Sequence, residues 1–156
     1  MSGRIFQLNV SNGGVPKLAV REAELTPGGL AGDRQRDLRY HGGPRRAVCL
    51  FALERVLELQ AEGHPIFPGS VGENLTIVGL DWSALAPGAR LALGEEAVVE
   101  VTSYTAPCKN IAGSFSGGEF KRISQKVHPG DSRLYARVLR PGRLAVGQPV
   151  KLLNET

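Results

Sequence analysis

Leu91-Ala92-Leu93-Gly94-Glu95-Glu96-Ala97-Val98-Val99-Glu100-Val101 decides how this chain folds. Two short apolar runs flank a Gly-Glu-Glu turn, the pattern of a β-hairpin. Upstream, Pro87-Gly88 turns the chain into the first run. Downstream, Thr102-Ser103-Tyr104-Thr105-Ala106 carries the second run to Pro107. A proline cannot donate a ladder hydrogen bond and biases the preceding residue away from helix, so the strand ends here. Cys108 therefore falls in a loop just past a strand end.

The rest of the chain repeats this grammar. Arg4-Ile5-Phe6-Gln7-Leu8-Asn9-Val10 alternates as a half-buried strand does. Ser11-Asn12-Gly13-Gly14 is turn chemistry. Alternation resumes over residues 18–25 as one strand with a wet face. Ala47-Val48-Cys49-Leu50-Phe51 reads as a buried strand. Leu53, Val56, Leu57 and Gln60 follow at helical spacing, and Gly63 stops that helix. Glu73-Asn74-Leu75-Thr76-Ile77-Val78 and Leu134-Tyr135-Ala136-Arg137-Val138-Leu139 are strands. Pro141-Gly142 is a turn, and Gln148-Pro149-Val150-Lys151-Leu152-Leu153 closes the chain. A short amphipathic helix over residues 119–126 buries Phe120 and Ile123. Many short strands, Gly/Pro turns and two helices predict a mostly β, barrel-like fold, one domain over residues 1–156.

Composition narrows the function. With 42% hydrophobic and 22% charged residues among 156, the chain can close a real core. The net charge of +4 is modest and spread out, and no aromatic stacking platform accompanies it, so nucleic acid is not the expected partner. Two cysteines make no disulfide scaffold, and no CxxC pair is present. Met1-Ser2-Gly3-Arg4 leads into a strand without a signal-peptide core. The longest apolar run, residues 47–53, is too short to span a bilayer. A cytoplasmic protein with free thiols and no membrane association is expected.

Two places carry chemistry. Cys108 is flanked by Lys109, and a neighbouring cation favours the thiolate that binds metals or attacks electrophiles. Cys49, inside an apolar run, reads as core. The second place is the long polar segment over residues 30–46, with five arginines, one histidine and several glycines. Within it, His41-Gly42-Gly43-Pro44-Arg45-Arg46 offers backbone N–H groups and guanidinium forks to an anion such as phosphate. Gly113-Ser114-Phe115-Ser116-Gly117-Gly118 lacks the Lys-Ser/Thr of a nucleotide-binding loop and reads as a flexible lid. Glu73 and Asn74 stand at a strand entrance, where both can be structural. His41, His64 and His128 are far apart and form no metal motif, with His64 an exposed turn residue. A Cys-His pair of Cys108 with His128 or His41 stays open, since such partners meet only in space.

Taken in order, Gly32-Asp33-Arg34-Gln35, Tyr40-His41-Gly42-Gly43-Pro44-Arg45-Arg46-Ala47-Val48, Gly69-Ser70-Val71-Gly72-Glu73-Asn74-Leu75-Thr76 and Ala106-Pro107-Cys108 resemble the motifs of MOSC domains. That family is named for the C-terminal domain of molybdenum cofactor sulfurases. The closing segments Arg137-Val138-Leu139 and Gly147-Gln148-Pro149-Val150 are similar to its last strands, so the resemblance covers nearly the whole chain. It implies a compact MOSC-type β-barrel of stand-alone, bacterial type. It also implies binding of molybdenum cofactor of the molybdopterin type, with Cys108 as metal ligand and catalytic residue. Gly32, Asp33, Arg34, His41, Gly42, Gly43, Arg46 and Asn74 match positions implied to shape and hold the cofactor. The implied activity is two-electron reduction of a small N-hydroxylated compound, with an electron-donating reductase as partner. A sulfur carrier is the alternative, in which Cys108 takes a persulfide from a cysteine desulfurase. A third reading, from another class, is a non-catalytic module that binds RNA or another anion.

Overall fold

The computed structural model describes residues 2–34 and 43–153. Eleven strands run in chain order: β1 (Ser2–Val10), β2 (Leu18–Val20), β3 (Glu22–Thr26), β4 (Gly29–Leu30), β5 (Val48–Ala52), β6 (Leu75–Val78), β7 (Arg90–Leu93), β8 (Ala97–Tyr104), β9 (Leu134–Arg140), β10 (Gly142–Ala145) and β11 (Pro149–Leu152). One α-helix, α1 (Leu53–Ala61), follows β5 directly, and the other helical pieces among the described residues are short 3-10 turns. Expected and observed architecture agree: the protein is mostly β.

Seven strands close into a barrel in the order β1-β6-β5-β9-β8-β7-β11 and back to β1. Closure depends on β1 serving three neighbours. Its first residues pair with β11, its last with β2, and its opposite edge with β6. All pairings are antiparallel except β5 with β6. Inside lie Leu8, Leu50, Leu75, Ile77, Leu91, Leu93, Val99 and Leu134, all buried. A closed barrel removes sheet edges that would otherwise template aggregation.

The predicted hairpin is present as β7 and β8, with Leu93 opposite Ala97. Four sequence expectations are corrected. The alternation in β1 is broken by a register shift between Ile5 and Gln7, so Ile5 and Leu8 share the core face while Phe6 is exposed. The single strand expected over residues 18–25 is two strands in two sheets, because the chain bends at Arg21. There β2 stays on the barrel, while β3 joins β10 and β4 in a three-stranded sheet. The turn at Pro141-Gly142 leads at once into β10, whose four residues are too few to show a pattern. The helix expected over residues 119–126 is a 3-10 turn, Phe120–Ile123, that buries Ile123 and only partly covers Phe120.

In α1 the buried face is Val56 and Leu59, while Leu57 is exposed. The helix leaves β5 without a spacer residue, so the strand's exit direction sets its rotation. Its end is a Schellman motif: Gly63 N–H donates to the Gln60 carbonyl and His64 N–H to that of Leu59. Gly63 takes the positive φ of 99° that this motif needs.

Gly69 is required for a different reason. Its φ is +91°, and a Cβ there would lie 2.4 Å from the carbonyl oxygen of Lys17, which is backbone and cannot swing away. The Lys17 N–H already donates to the Gly69 carbonyl at 2.8 Å, so the two loops touch through their backbones. Gly69→Ala is expected to cost about 2–4 kcal/mol of stability through this clash and the left-handed backbone. Urea denaturation of the two proteins measures it; a loss below about 0.5 kcal/mol would contradict the close approach.

Candidate functional site

One end of the barrel holds a small cleft, open to solvent on one side. Cys49 of β5 and Tyr135 of β9, directly paired across the sheet, contribute to it. Gly14, Val15 and Lys17 come from the loop after β1, and Val71 and Gly72 from the loop before β6. Arg34, Cys108, Asn110, Ile111 and Arg133 complete the lining.

Cys108 arrives as the sequence predicts. β8 ends at Tyr104, and Thr105 N–H donates to the Arg133 carbonyl at 2.9 Å. Pro107 then carries the chain off the sheet. Cys108 stands with extended backbone at the head of the 3-10 turn Lys109–Ser114 and is half-buried. Cys49 is buried, as expected of a core thiol, and its Sγ lies 3.7 Å from Thr105 Oγ1. Burial pushes the Cys49 thiol up, against smaller opposing effects of Arg133 and Thr105. Cys49 thus stays a thiol where Cys108 meets solvent.

The loops around the cleft are bracketed by a buried polar chain. Asp33 accepts from Lys17 Nζ at 2.6 Å, from the Asn74 side-chain amide at 2.9 Å and from Ser11 N–H at 3.0 Å. Both side chains of the Lys17–Asp33 pair are about 5% exposed. The side-chain oxygen of Asn74 in turn accepts from Cys49 N–H at 2.9 Å. Asn74 is fully buried and does not line the cleft; it ties the Asp33 turn to β5. Gly32, with a φ of 90°, lets the chain turn from β4 into Asp33.

The other expected residues divide. Arg34 lines the cleft, its backbone N–H held by the Ser11 carbonyl. Gly43 has a φ of 77° and caps the 3-10 turn Pro44–Arg46. Arg46 places its guanidinium 5.5 Å over the Tyr135 ring, which links the basic loop to the cleft through a cation–π contact. His41 and Gly42 lie outside the described residues.

Three cleft residues carried no signal in the sequence. Lys17 and Arg133 are 5% and 4% exposed, and no local pattern marks either for burial. Tyr135 sits in an apolar strand; burial above all raises its phenol well above the ordinary value, against the opposing charges of Arg133 and Arg46, so it remains protonated. Glu73, noticed at the strand entrance, is fully buried. One oxygen accepts from the Thr76 hydroxyl at 3.0 Å, while Oε1 has no hydrogen-bond partner. Burial pushes this carboxyl up, with backbone N–H groups partly opposing.

Two further expectations are corrected. Residues 113–118 are not a loose lid. Ser114 and Phe115 are buried, and Ser116 donates its N–H to His64 Nδ1 at 3.0 Å and its hydroxyl to the Gly63 carbonyl at 2.7 Å. His64 is correspondingly no exposed turn residue. Its ring packs edge-on against Phe115 at 5.3 Å, and its side chain is 11% exposed. Helix-end geometry puts it there, and no local sequence cue announces that.

Among the described residues, no group of three His, Cys, Asp or Glu side chains is placed to hold a metal ion. None of their helices is long and apolar enough to cross a membrane. The cleft therefore offers one accessible soft donor, Cys108, among the cations Lys17, Arg34 and Arg133 and the neutral donors Asn110 and Tyr135.

The MOSC domain model matches residues 37–151, and the chain belongs to the MOSC domain family. It is 35% identical to YflK of Bacillus subtilis over 124 residues, covering 79% of this chain and 55% of that protein. It is 29% identical to YiiM of Escherichia coli over 137 residues, covering 85% of this chain and 60% of that protein. The chain thus spans less than two thirds of the length of these curated relatives. The crystal structure of E. coli YiiM superposes on all of this chain and 71% of its own, with a TM-score of 0.74 and 26% identity. The crystal structure of a hypothetical protein superposes on the whole chain with a TM-score of 0.79 and 28% identity, over 70% of that protein. YuaD of Bacillus subtilis, at 18% identity and a TM-score of 0.78, shares the fold.

Two outcomes follow from the buried groups. Asp33→Ala strands Lys17 in the interior and is expected to cost about 3–5 kcal/mol, measured by urea denaturation. The double variant Lys17→Met/Asp33→Leu recovers part of that loss, the Ser11 N–H and the Asn74 amide staying without Asp33; equal losses would contradict the pairing. Glu73 is raised in the folded state, so the unfolded chain releases its proton first as pH rises. Its contribution is fully present below the unfolded carboxyl value of about 4.3 and is lost above it. Wild-type stability relative to Glu73→Gln is therefore expected to fall by up to about 1.4 kcal/mol per pH unit just above that value. Parallel urea curves from pH 4 to 8 check the sign.

Proposed function

We propose that this protein binds molybdenum cofactor in the cleft, with Cys108 as the protein's ligand to the metal, and acts as an oxidoreductase on N-hydroxylated compounds. The observation that carries the reading is one half-buried thiol in a cationic cleft with, among the described residues, no cluster of hard ligands around it. A bare ion needs several protein ligands, whereas a metal that arrives with its own sulfur ligands needs one soft donor. The lining fits such a group, since the polyanionic pterin-phosphate would meet Lys17, Arg34 and Arg133 rather than carboxylates. Arg46 and Gly43 stand next to that wall, through the Tyr135 ring and the loop they share.

When bound, the cofactor would supply two-electron redox chemistry. The chain's own part is to bind and orient. Pro107 and the 3-10 turn hold Cys108 at the cleft edge. The buried Lys17–Asp33–Asn74 chain keeps one wall in place, and Tyr135, held protonated, offers a hydrogen-bond donor. Electrons would come from a separate reductase acting in the cytoplasm.

A persulfide carrier is the second reading. It is favoured by the same lack of hard ligands, since a carrier needs only an accessible thiol and nearby cations. Cysteine and a desulfurase would then add one sulfur to Cys108, visible by intact-mass spectrometry.

The deciding measurement is molybdenum and pterin content after expression in a cofactor-competent host. Wild type is expected to hold near-stoichiometric metal and Cys108→Ala at least about tenfold less, the loss of one strong ligand. Equal, negligible metal in both proteins would sink the cofactor reading.

A further inference from the structure

Arg133 is a buried cation without a counter-ion among the described residues. Its planar guanidinium has five N–H donors. One donates to the Val71 carbonyl at 2.6 Å and one to the Ala106 carbonyl at 3.5 Å. Its Nε is buried and has no hydrogen-bond partner. Lys17, equally buried in the same cleft, has Asp33 beside it; among the described residues, no carboxylate is within ion-pair distance of Arg133. Glu73 is near enough to feel the charge, but burial drives it toward its neutral form. Buried charges are ordinarily paired, because desolvation without a partner is costly.

We propose that the cleft contains an oxyanion subsite centred on the Arg133 guanidinium, taking a sulfate-, phosphate- or carboxylate-type group within reach of Cys108. The position follows from the hydrogen bonds. Arg133 holds Val71 on one side of the cleft and Ala106, two residues before Cys108, on the other. Arg34 lines the same space and adds positive field, whereas Lys17 there is already paired with Asp33. A guanidinium fork is suited to two oxygens of one anion in a way that a lysine is not. The subsite needs no metal; where its occupant is the cofactor's phosphate, it rests on the cofactor reading and deepens it. Its oxyanion is either the phosphate of the bound cofactor or an acid group of the substrate.

The test uses the purified full chain, free of cofactor. Alkylation of Cys108 by anionic iodoacetate and by neutral iodoacetamide is followed by peptide mass spectrometry, with sodium sulfate titrated at constant ionic strength. Relative to glutathione, iodoacetate is expected to gain about tenfold over iodoacetamide, the local enrichment of an anion in a cationic cleft. Sulfate suppresses that gain saturably. Arg133→Met abolishes it, and Arg133→Lys keeps part of it. A wild-type ratio equal to that of glutathione and unmoved by sulfate overturns the proposal, whatever the variants do. Cys108→Ser still binds sulfate in calorimetry, so a chain that binds sulfate but never molybdenum keeps the subsite and loses the cofactor reading. In the cofactor-loaded chain, loss of sulfate binding assigns the subsite to the cofactor's phosphate, and retained binding assigns it to the substrate.

Discussion

The side chain of Asn74 holds together everything that matters at this site. Buried at the mouth of the barrel, it accepts from the Cys49 backbone and donates to Asp33, which neutralises Lys17. Through that chain of bonds, the turn that presents Arg34 is tied to the strand that presents Cys49. An amide suits the place because it must accept and donate at once, without adding charge to an interior that already contains Lys17 and Asp33. Fully satisfied buried networks of this kind rigidify a site, since each member left unpaired would cost its desolvation.

A second anchor works from the opposite side. The Schellman end of α1 aims His64 at Phe115 and Ser116, and so fastens the segment that follows Cys108. Arg133 then spans the gap between the 69–72 loop and residue 106. Cys108 is thereby held by its chain neighbours on both sides while its sulfur remains on the cleft. The two thiols of this protein differ for that reason alone: one is enclosed by β-sheet and the other is carried off the sheet by a proline.

Much of this was legible in residue order. The hairpin of β7 and β8, the strand end before Pro107, the placement of Cys108 in a loop and the burial of Cys49 all follow from local rules. They depend on Pro geometry, turn residues and β-branched runs, which act over a few residues. The ordered motifs also pointed to the MOSC family, which the domain match bears out. The local rules failed where a strand changes sheets at Arg21, where a bulge in β1 swaps faces, and where a helix is rotated by the strand it leaves. In each case the deciding contact is with a distant segment.

The sequence by itself determined a mostly β domain of the MOSC family, with a single cysteine in a loop beyond a strand end. Only the tertiary structure decided which charges are buried. Lys17, Glu73 and Arg133 are written like surface residues, and nothing in their neighbours distinguishes them from Arg90 or Lys151. Their burial comes from barrel closure, which brings the loops after β1, before β6 and before β9 to one end. Whether a buried charge finds a partner is then a matter of spatial accident or of ligand: Lys17 meets Asp33 across 16 residues of chain, and Arg133 donates to the carbonyl oxygens of Val71 and Ala106.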